Sequence, residues 1–209
     1  MLHVGNDIVD RKSPEAAGKA GDRRFLHKVL TPLEQEVVAG ALDSDLALWS
    51  LWAAKEAAYK AVSKLFPGIS AAPRRYCVHL PVNEPGGGSF GIVQTPGGRV
   101  PVRVLCGRQH LHCIAITAGP EDFETLDYSH AVIRPGRESE MVREMAIGRI
   151  ASCLNIRPEA IRIVRRKGTA RPGPPVAFAG SRELELDISL SHHGRFAAYA
   201  AWITAPPAV

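Results

Sequence analysis

The sequence predicts an α+β chain made of two pseudo-twofold-related α+β halves, and three observations carry that prediction. No glycine or proline interrupts Asp43 to Phe66, and alanine, lysine and glutamate dominate its centre, so it reads as a long helix. Tyr76 to Thr117 then changes to β-rich runs separated by turns. A second helical stretch, Ser139 to Leu154, is again followed by strand-like runs that end in small apolar residues. Helix before sheet thus occurs twice, and a paired fold is the simplest architecture.

Taken in order, His3 to Val9 reads as a strand, and Ser13-Pro14-Glu15 as the capped start of a short helix. Arg23 to Leu30 is helical. Thr31-Pro32-Leu33-Glu34 is a capping box that opens a helix running to about Ala41. The long helix follows, and Pro67-Gly68 stops it. Strands are expected at Tyr76–Val82, Ser89–Thr95, Arg99–Cys106 and His112–Thr117. The runs 84–88 and 96–98 are the intervening turns. The three-glycine run lacks the Gly-Lys-Ser/Thr of a phosphate loop and reads as a hairpin turn. Ala118 to Gly136 carries Gly119-Pro120 and Pro135-Gly136 and reads as a linker. The expected division is residues 1–120, a linker over 121–138, and residues 139–209. In the second half, Ile161–Val164, Leu186–Ser191 and Phe196–Ile203 read as strands, with a proline-rich loop from Arg171 to Pro175.

At 209 residues, with 45% hydrophobic and 22% charged residues, the composition is that of an ordinary globular protein able to bury a core. A formal charge of +5 favours an anionic partner, such as a phosphorylated small molecule or an acidic protein. No basic tail and no interleaving of basic and aromatic residues supports nucleic-acid binding. Cys77, Cys106, Cys113 and Cys153 form no C-x-x-C pair, which argues against structural zinc. No apolar run reaches membrane-span length, and Asp7 and Asp10 are wrong for a signal peptide, so a reducing, cytoplasmic setting is expected.

Three segments carry chemistry. In Trp52-Ala-Ala-Lys-Glu-Ala-Ala-Tyr-Lys60, the residues Trp52, Glu56 and Lys60 recur at i, i+4 and i+8 and share one helix face. A carboxylate there suits a metal, and a lysine one turn on suits a phosphate. The same spacing also describes an exposed ion pair worth about 0.2–0.5 kcal/mol. In Gly5-Asn-Asp-Ile-Val-Asp10, Asp7 and Val9 point to one face of a strand, Ile8 and Asp10 to the other. Asp7 is either a metal ligand or a turn residue. Ser191 and His192, within Ser189-Leu-Ser-His-His-Gly194, could meet phosphate from a turn, or form an ordinary polar hairpin.

Together, Gly-x-Asp on a strand and Trp-x-x-Lys-Glu-Ala-x-x-Lys on a helix resemble the signature of the 4′-phosphopantetheinyl transferases. Leu190-Ser-His-His-Gly-Arg-Phe196 is similar to the Ile-Ser-His-Ser-Gly-Arg-Trp segment of the larger, surfactin-synthetase-activating type. Ala170-Arg-Pro172 resembles the Gly-Lys-Pro loop that precedes that segment. The order of the halves is reversed relative to the larger type, as in a circular permutation. Gly5 to Asp10 is closer to the opening of the small holo-acyl-carrier-protein synthase type.

The resemblance implies transfer of 4′-phosphopantetheine from coenzyme A to a serine of an apo carrier protein, with Mg2+ as cofactor. Asp7 and Glu56 would hold the metal, and Asp7, Glu56 and Lys60 would form the catalytic set. The serine proton would leave to Glu56 or to a metal-held water. Lys60, Ser191, His192, Arg171, Pro172 and Arg143 would bind coenzyme A, with Arg137 a further candidate for its 3′-phosphate. The carrier is expected to be acidic and the enzyme a monomer. One departure stands out: Val9 replaces the third acid of the larger type, leaving that place to Asp10 or to water. An incomplete metal site of this kind would also suit a non-catalytic binder of coenzyme A or of a carrier protein.

Overall fold

The computed structural model describes residues 2–81, 88–166 and 173–204. The chain opens with strand β1 (Val4–Asp10) and helices α1 (Arg23–Val29), α2 (Pro32–Gly40) and α3 (Ser44–Leu65). Strands β2 (Cys77–His79), β3 (Gly88–Thr95), β4 (Gly98–Cys106) and β5 (His110–Ile116) follow. A second series then runs β6 (Asp127–Val132), α4 (Glu138–Leu154), β7 (Ile161–Arg165), β8 (Pro175–Ala179), β9 (Arg182–Glu183), β10 (Leu186–His193) and β11 (Phe196–Ile203).

The first series forms one antiparallel sheet in the order β1-β5-β4-β3-β2. In the second, β10-β11-β6 and β7-β8-β9 are antiparallel sheets, and β8 packs beside β10. Each series therefore pairs its opening strand with its last: β1 with β5, and β6 with β11. The chain is α+β, as expected. Among the described residues, no helix is long and apolar enough to cross a membrane.

Local chemistry explains the helices. Thr31 Oγ1 accepts from the Glu34 N–H, and Glu34 Oε2 accepts from the Thr31 N–H at 2.7 Å, which is the capping box read from the sequence. Asp43 caps α3 by accepting from the Leu46 N–H. Helix α3 then lies on the large sheet. Leu48 and Leu51 are buried beside it, each side chain contributing about 1.5–3 kcal/mol. Ala53, Ala54, Ala57, Ala58 and Ala61 are fully buried, so the helix approaches the strands closely. Helix α4 covers the second series through Val142, Ala146 and Ile150, packed against Ile161, Ile163 and Ile188.

Three segments differ from the sequence reading. The stretch expected to link the halves contains β6, which takes the free edge of β11 from Val132↔Phe196 to Asp127↔Ala201. Its exposure shows no two-residue alternation, so the sequence pattern gave no strand signal. No helix forms at Ser13-Pro14. The Ala16 and Ala17 amides turn back to the Ser13 carbonyl, Gly18 takes φ 74°, and Asp45 accepts from the Gly18 and Ala20 amides. That carboxylate comes from α3, so the turn is set by tertiary contact. Finally, Pro175 opens β8 instead of closing a loop. Most of the turn read at 84–88 lies outside the described residues.

Candidate active site at the junction of β1, α3 and β10

Gly5 sets the geometry of the site. A Cβ at that position would lie 2.0 Å from the Ala57 carbonyl oxygen and 2.7 Å from the Ala61 nitrogen. Glycine and alanine together let β1 rest directly on α3. Two residues on, on the same strand face, Asp7 reaches the next turn of the helix. Lys60 Nζ donates to Asp7 Oδ1 at 2.8 Å and to the Asn6 carbonyl at 2.8 Å. Lys60 thus pairs with a strand carboxylate, not with Glu56 as an exposed helix pair would. Burial, and then the Asp7 charge, push the Glu56 carboxyl above its ordinary range, while Lys60 pulls the other way. Glu56 has no hydrogen-bond partner among the described residues. Two acids and one cation therefore meet where β1 crosses α3.

The second series supplies the other wall. Asp187 Oδ1, Ser189 Oγ and His193 Nδ1 accept from the amides of Val4, Asn6 and Asp10 at 2.9, 2.9 and 3.0 Å. Each pair is separated by 183 residues, so β10 runs alongside β1 in one direction and its side chains satisfy that edge. Part-buried Lys64 closes the junction, donating to Asp187, to the Val4 carbonyl at 2.7 Å and to the Ile188 carbonyl at 2.8 Å. Lys64 continues the stripe of residues 52, 56 and 60 by one more turn; that spacing was the signal that could have identified it.

A cleft of about 940 Å³ opens between α3 and the second series, with Lys60, Ser63, Ser189, Leu190 and Arg165 on its walls. A hollow of about 280 Å³ on β2, β3 and β4 shares none of these residues. Among the described residues, no three His, Cys, Asp or Glu side chains gather as a metal cluster. The carboxylates beside Lys60, where β1 crosses α3, are Asp7 and Glu56.

The remaining expected site residues scatter. Ser191 and His192 lie within β10 itself, so they face opposite sides. Ser191 is buried and accepts from Asn6 Nδ2 at 2.9 Å; it belongs to the seam between the strands, where the sequence reading had put it in an open turn. His192 is exposed at the start of α4, with Nε2 3.4 Å from Ser139 Oγ. Arg143 joins it there, donating to the Ser139 carbonyl at 2.6 Å. Arg171 and Pro172 lie outside the described residues. Asp10 is not available as a third ligand: Arg195 grips it at 2.7 and 2.8 Å, and this hydrogen bonding lowers its carboxyl to about 2. Val9, facing α3, is core.

Lys55, inside the same helical motif, is structural. It is buried and donates to Glu34 Oε2 at 2.6 Å, the Val29 carbonyl at 3.0 Å and the Pro73 carbonyl at 3.2 Å. Glu34 also accepts from the Val78 amide at 2.9 Å. Sequence reasoning saw the capping role of Glu34 and missed its partner.

Comparison with known proteins bears on this junction. A family model described as the 4′-phosphopantetheinyl transferase superfamily matches residues 3–121. A holo-[acyl-carrier-protein] synthase from Dehalococcoides mccartyi is 32% identical over 91 residues, covering 44% of this chain and 72% of that protein. The family match takes in both β1 and α3, and with them Asp7, Glu56 and Lys60. With more than half of its length matched in this way, the chain belongs to the 4′-phosphopantetheinyl transferase superfamily.

Proposed function

We propose that this chain transfers 4′-phosphopantetheine from coenzyme A to a serine of an apo carrier protein and releases adenosine 3′,5′-bisphosphate. The observation that carries the reading is the meeting of Asp7, Glu56 and Lys60, with Lys60 also on the wall of a cleft large enough for a cofactor-sized ligand. Family membership supports it.

Asp7 and Glu56 fit a magnesium ion. Both offer hard oxygens; burial first and the Asp7 charge second raise the Glu56 carboxyl, and a divalent cation would relieve both. When bound, the ion neutralises charge on the pyrophosphate. Two protein ligands would suffice, because magnesium commonly completes its coordination with waters and substrate oxygens. Lys60, already at Asp7, meets phosphate oxygens as charge builds on the leaving bisphosphate. The carrier serine oxygen bonds to the phosphorus nearer the pantetheine, its proton leaves to the Glu56 carboxylate or to water, and the bond from that phosphorus to the bisphosphate oxygen breaks.

The net charge of +5 steers an acidic carrier toward the protein. Both walls of the cleft come from one chain, so a monomer is competent. The two series, each pairing its first strand with its last, read as permuted halves of the larger family type.

Incubation with apo carrier protein, coenzyme A and magnesium tests the proposal by intact mass. The expected gain is one phosphopantetheine, lost when a chelator is added. No gain on fatty-acid, polyketide or peptide carriers would instead favour a coenzyme A-binding protein with an incomplete metal site.

A further inference from the structure

We infer that Lys64 is a positioning residue that ties the two walls of the cleft together and so sets the gap in which coenzyme A binds; this rests on the function proposed above. Helix α3 and strand β10 serve the same edge of β1. The Val4 and Asn6 carbonyls accept from Lys64 and Lys60, one helical turn apart, at 2.7 and 2.8 Å. The Val4 and Asn6 amides donate to Asp187 and Ser189, two strand residues apart, at 2.9 Å each. Four residues of helix rise about 6 Å and two residues of strand about 6.7 Å, so the two elements keep step along β1.

The two lysines then diverge. Lys60 turns to Asp7, inside the first series. Lys64 crosses to the second, donating to Asp187 and to the Ile188 carbonyl at 2.8 Å. Among the described residues, these are the hydrogen bonds that pass directly from α3 to β10. The three N–H groups of the ammonium meet three oxygens, so none is left for a phosphate. The Lys64 side chain is 6% exposed against 30% for Lys60, which leaves Lys60 to meet the ligand. Asp187 is equally committed: Oδ1 also accepts from the Val4 amide, and Oδ2 lies 2.7 Å from His3 Nδ1. Both elements that Lys64 joins are cleft walls. Lys60, Ser63 and Lys64 line it from α3, and Ser189 and Leu190, the residues after Ile188, line it from β10. The reacting groups Asp7, Glu56 and Lys60 all belong to β1 and α3, which meet through Gly5 and Ala57 without help from Lys64. Lys64 therefore fixes the far wall before the ligand arrives, and that preorganisation favours binding over turnover.

The test measures binding of coenzyme A and of inorganic pyrophosphate by calorimetry with magnesium present, alongside transfer kinetics. The proteins are wild type, Lys64→Met, the double variant Lys64→Met/Asp187→Asn, and Lys55→Met. Pyrophosphate needs the Asp7, Glu56 and Lys60 wall alone, whereas coenzyme A spans both walls. Lys64→Met should weaken coenzyme A roughly tenfold, or about 1.4 kcal/mol, and leave pyrophosphate within about twofold. KM for coenzyme A should rise with kcat little changed. The double variant leaves no unpaired carboxylate, so it should fold where Lys64→Met does not, and it should show the same pattern. Lys55→Met removes a lysine of the same helix whose partners, Val29, Glu34 and Pro73, are not cleft walls. It should lower stability and keep the wild-type ratio of the two affinities. Equal loss of both ligands, unchanged coenzyme A affinity in the Lys64 variants, or the same selective loss in Lys55→Met overturns the assignment. So does a fall in kcat at constant KM. Selective loss of coenzyme A binding in a protein that transfers nothing keeps Lys64 in its role and removes the transferase reading. Transfer without selective loss does the reverse, and a wild type that binds no coenzyme A overturns both.

Discussion

Gly5 and Ala57 meet backbone to backbone, and no side chain fits between them. A Cβ at Gly5 would come within 2.0 Å of the Ala57 oxygen, and the atoms it meets are main chain, which cannot turn aside. Gly5→Ala should therefore push β1 off α3. The expected loss is about 1–3 kcal/mol or more in urea denaturation, as for overpacking elsewhere, with activity lost because Asp7 moves away from Glu56. Gly148→Ala is the contrast. Gly148 lies exposed inside α4 with nothing within 4 Å of a new Cβ, so alanine should stabilise by up to about 1 kcal/mol. Two glycine substitutions of the same sign would refute this account.

Lys55 and Glu34 form the buried ion pair of the first core. Removing one partner leaves the other charged, dry and unpaired, which costs about 3–5 kcal/mol. Lys55→Met should show that loss in chemical denaturation. Adding Glu34→Gln should recover part of it, because the remaining amide needs no counter-charge. If Lys55→Met instead lowered activity at unchanged stability, Lys55 would belong to the site and not to the core.

These pairs show how far the sequence could be read. The long helix, the Thr31 capping box and the Asp7–Glu56–Lys60 set depend on local spacing, and the structure brings all three of those residues together. What was missed depends on tertiary partners. Lys55 looks like any solvated lysine until Glu34 is placed beside it. The sequence reading assigned the glycine of Gly-x-Asp no role of its own, and its reason is Ala57 on another element. Strand β6 has no alternation because its pairing with β11 supplies what its own pattern lacks. Ser191 and His192 read as a turn at the end of the Leu186–Ser191 strand, but β10 continues through both, and one residue of register sends them to opposite sides.

Glu56 is expected to trade stability for activity. Its carboxyl is held above the ordinary range by burial and by Asp7, so keeping it ionised at neutral pH costs folding free energy, and that cost is relieved as pH falls. Glu56→Gln removes it. Stability at pH 7.5 should stay level or rise while turnover falls at least about a hundredfold, a loss on the scale of one strong electrostatic contact in the transition state. Asp7→Asn should lose turnover similarly without the gain, since it breaks the Lys60 pair. The thermal shift produced by magnesium should vanish in both. Near-wild-type turnover in both would remove these residues from the proposed metal site.

Acid should loosen the seam between β1, β5, β6 and β10, and His112 is the principal reason. Its ring is fully buried, with Nε2 3.2 Å from Asn6 Nδ2 and no partner for Nδ1 among the described residues. The same Asn6 nitrogen donates to Ser191, so the imidazole can pair with it only as an acceptor, in the neutral form. Burial first, then His130, His110 and Lys60, lower its pKa to about 3 from 6.5. His110 from β5 and His130 from β6 are lowered too, their rings 4.1 Å apart. Tyr128 faces His112 from β6, and the nearby Asp10 carboxylate is already held by Arg195. The unfolded chain takes up protons on these rings below about pH 6.5, while the folded chain does not until lower pH. Stability should therefore be full above pH 6.5 and fall steadily toward pH 3, with Asp10 adding a further loss as pH drops toward 2. Urea midpoints across pH 4 to 8 measure the slope, and His112→Asn should flatten it whatever its effect on absolute stability. An unchanged slope in that variant would assign the acid loss to other groups and leave His112 a passive member of the seam.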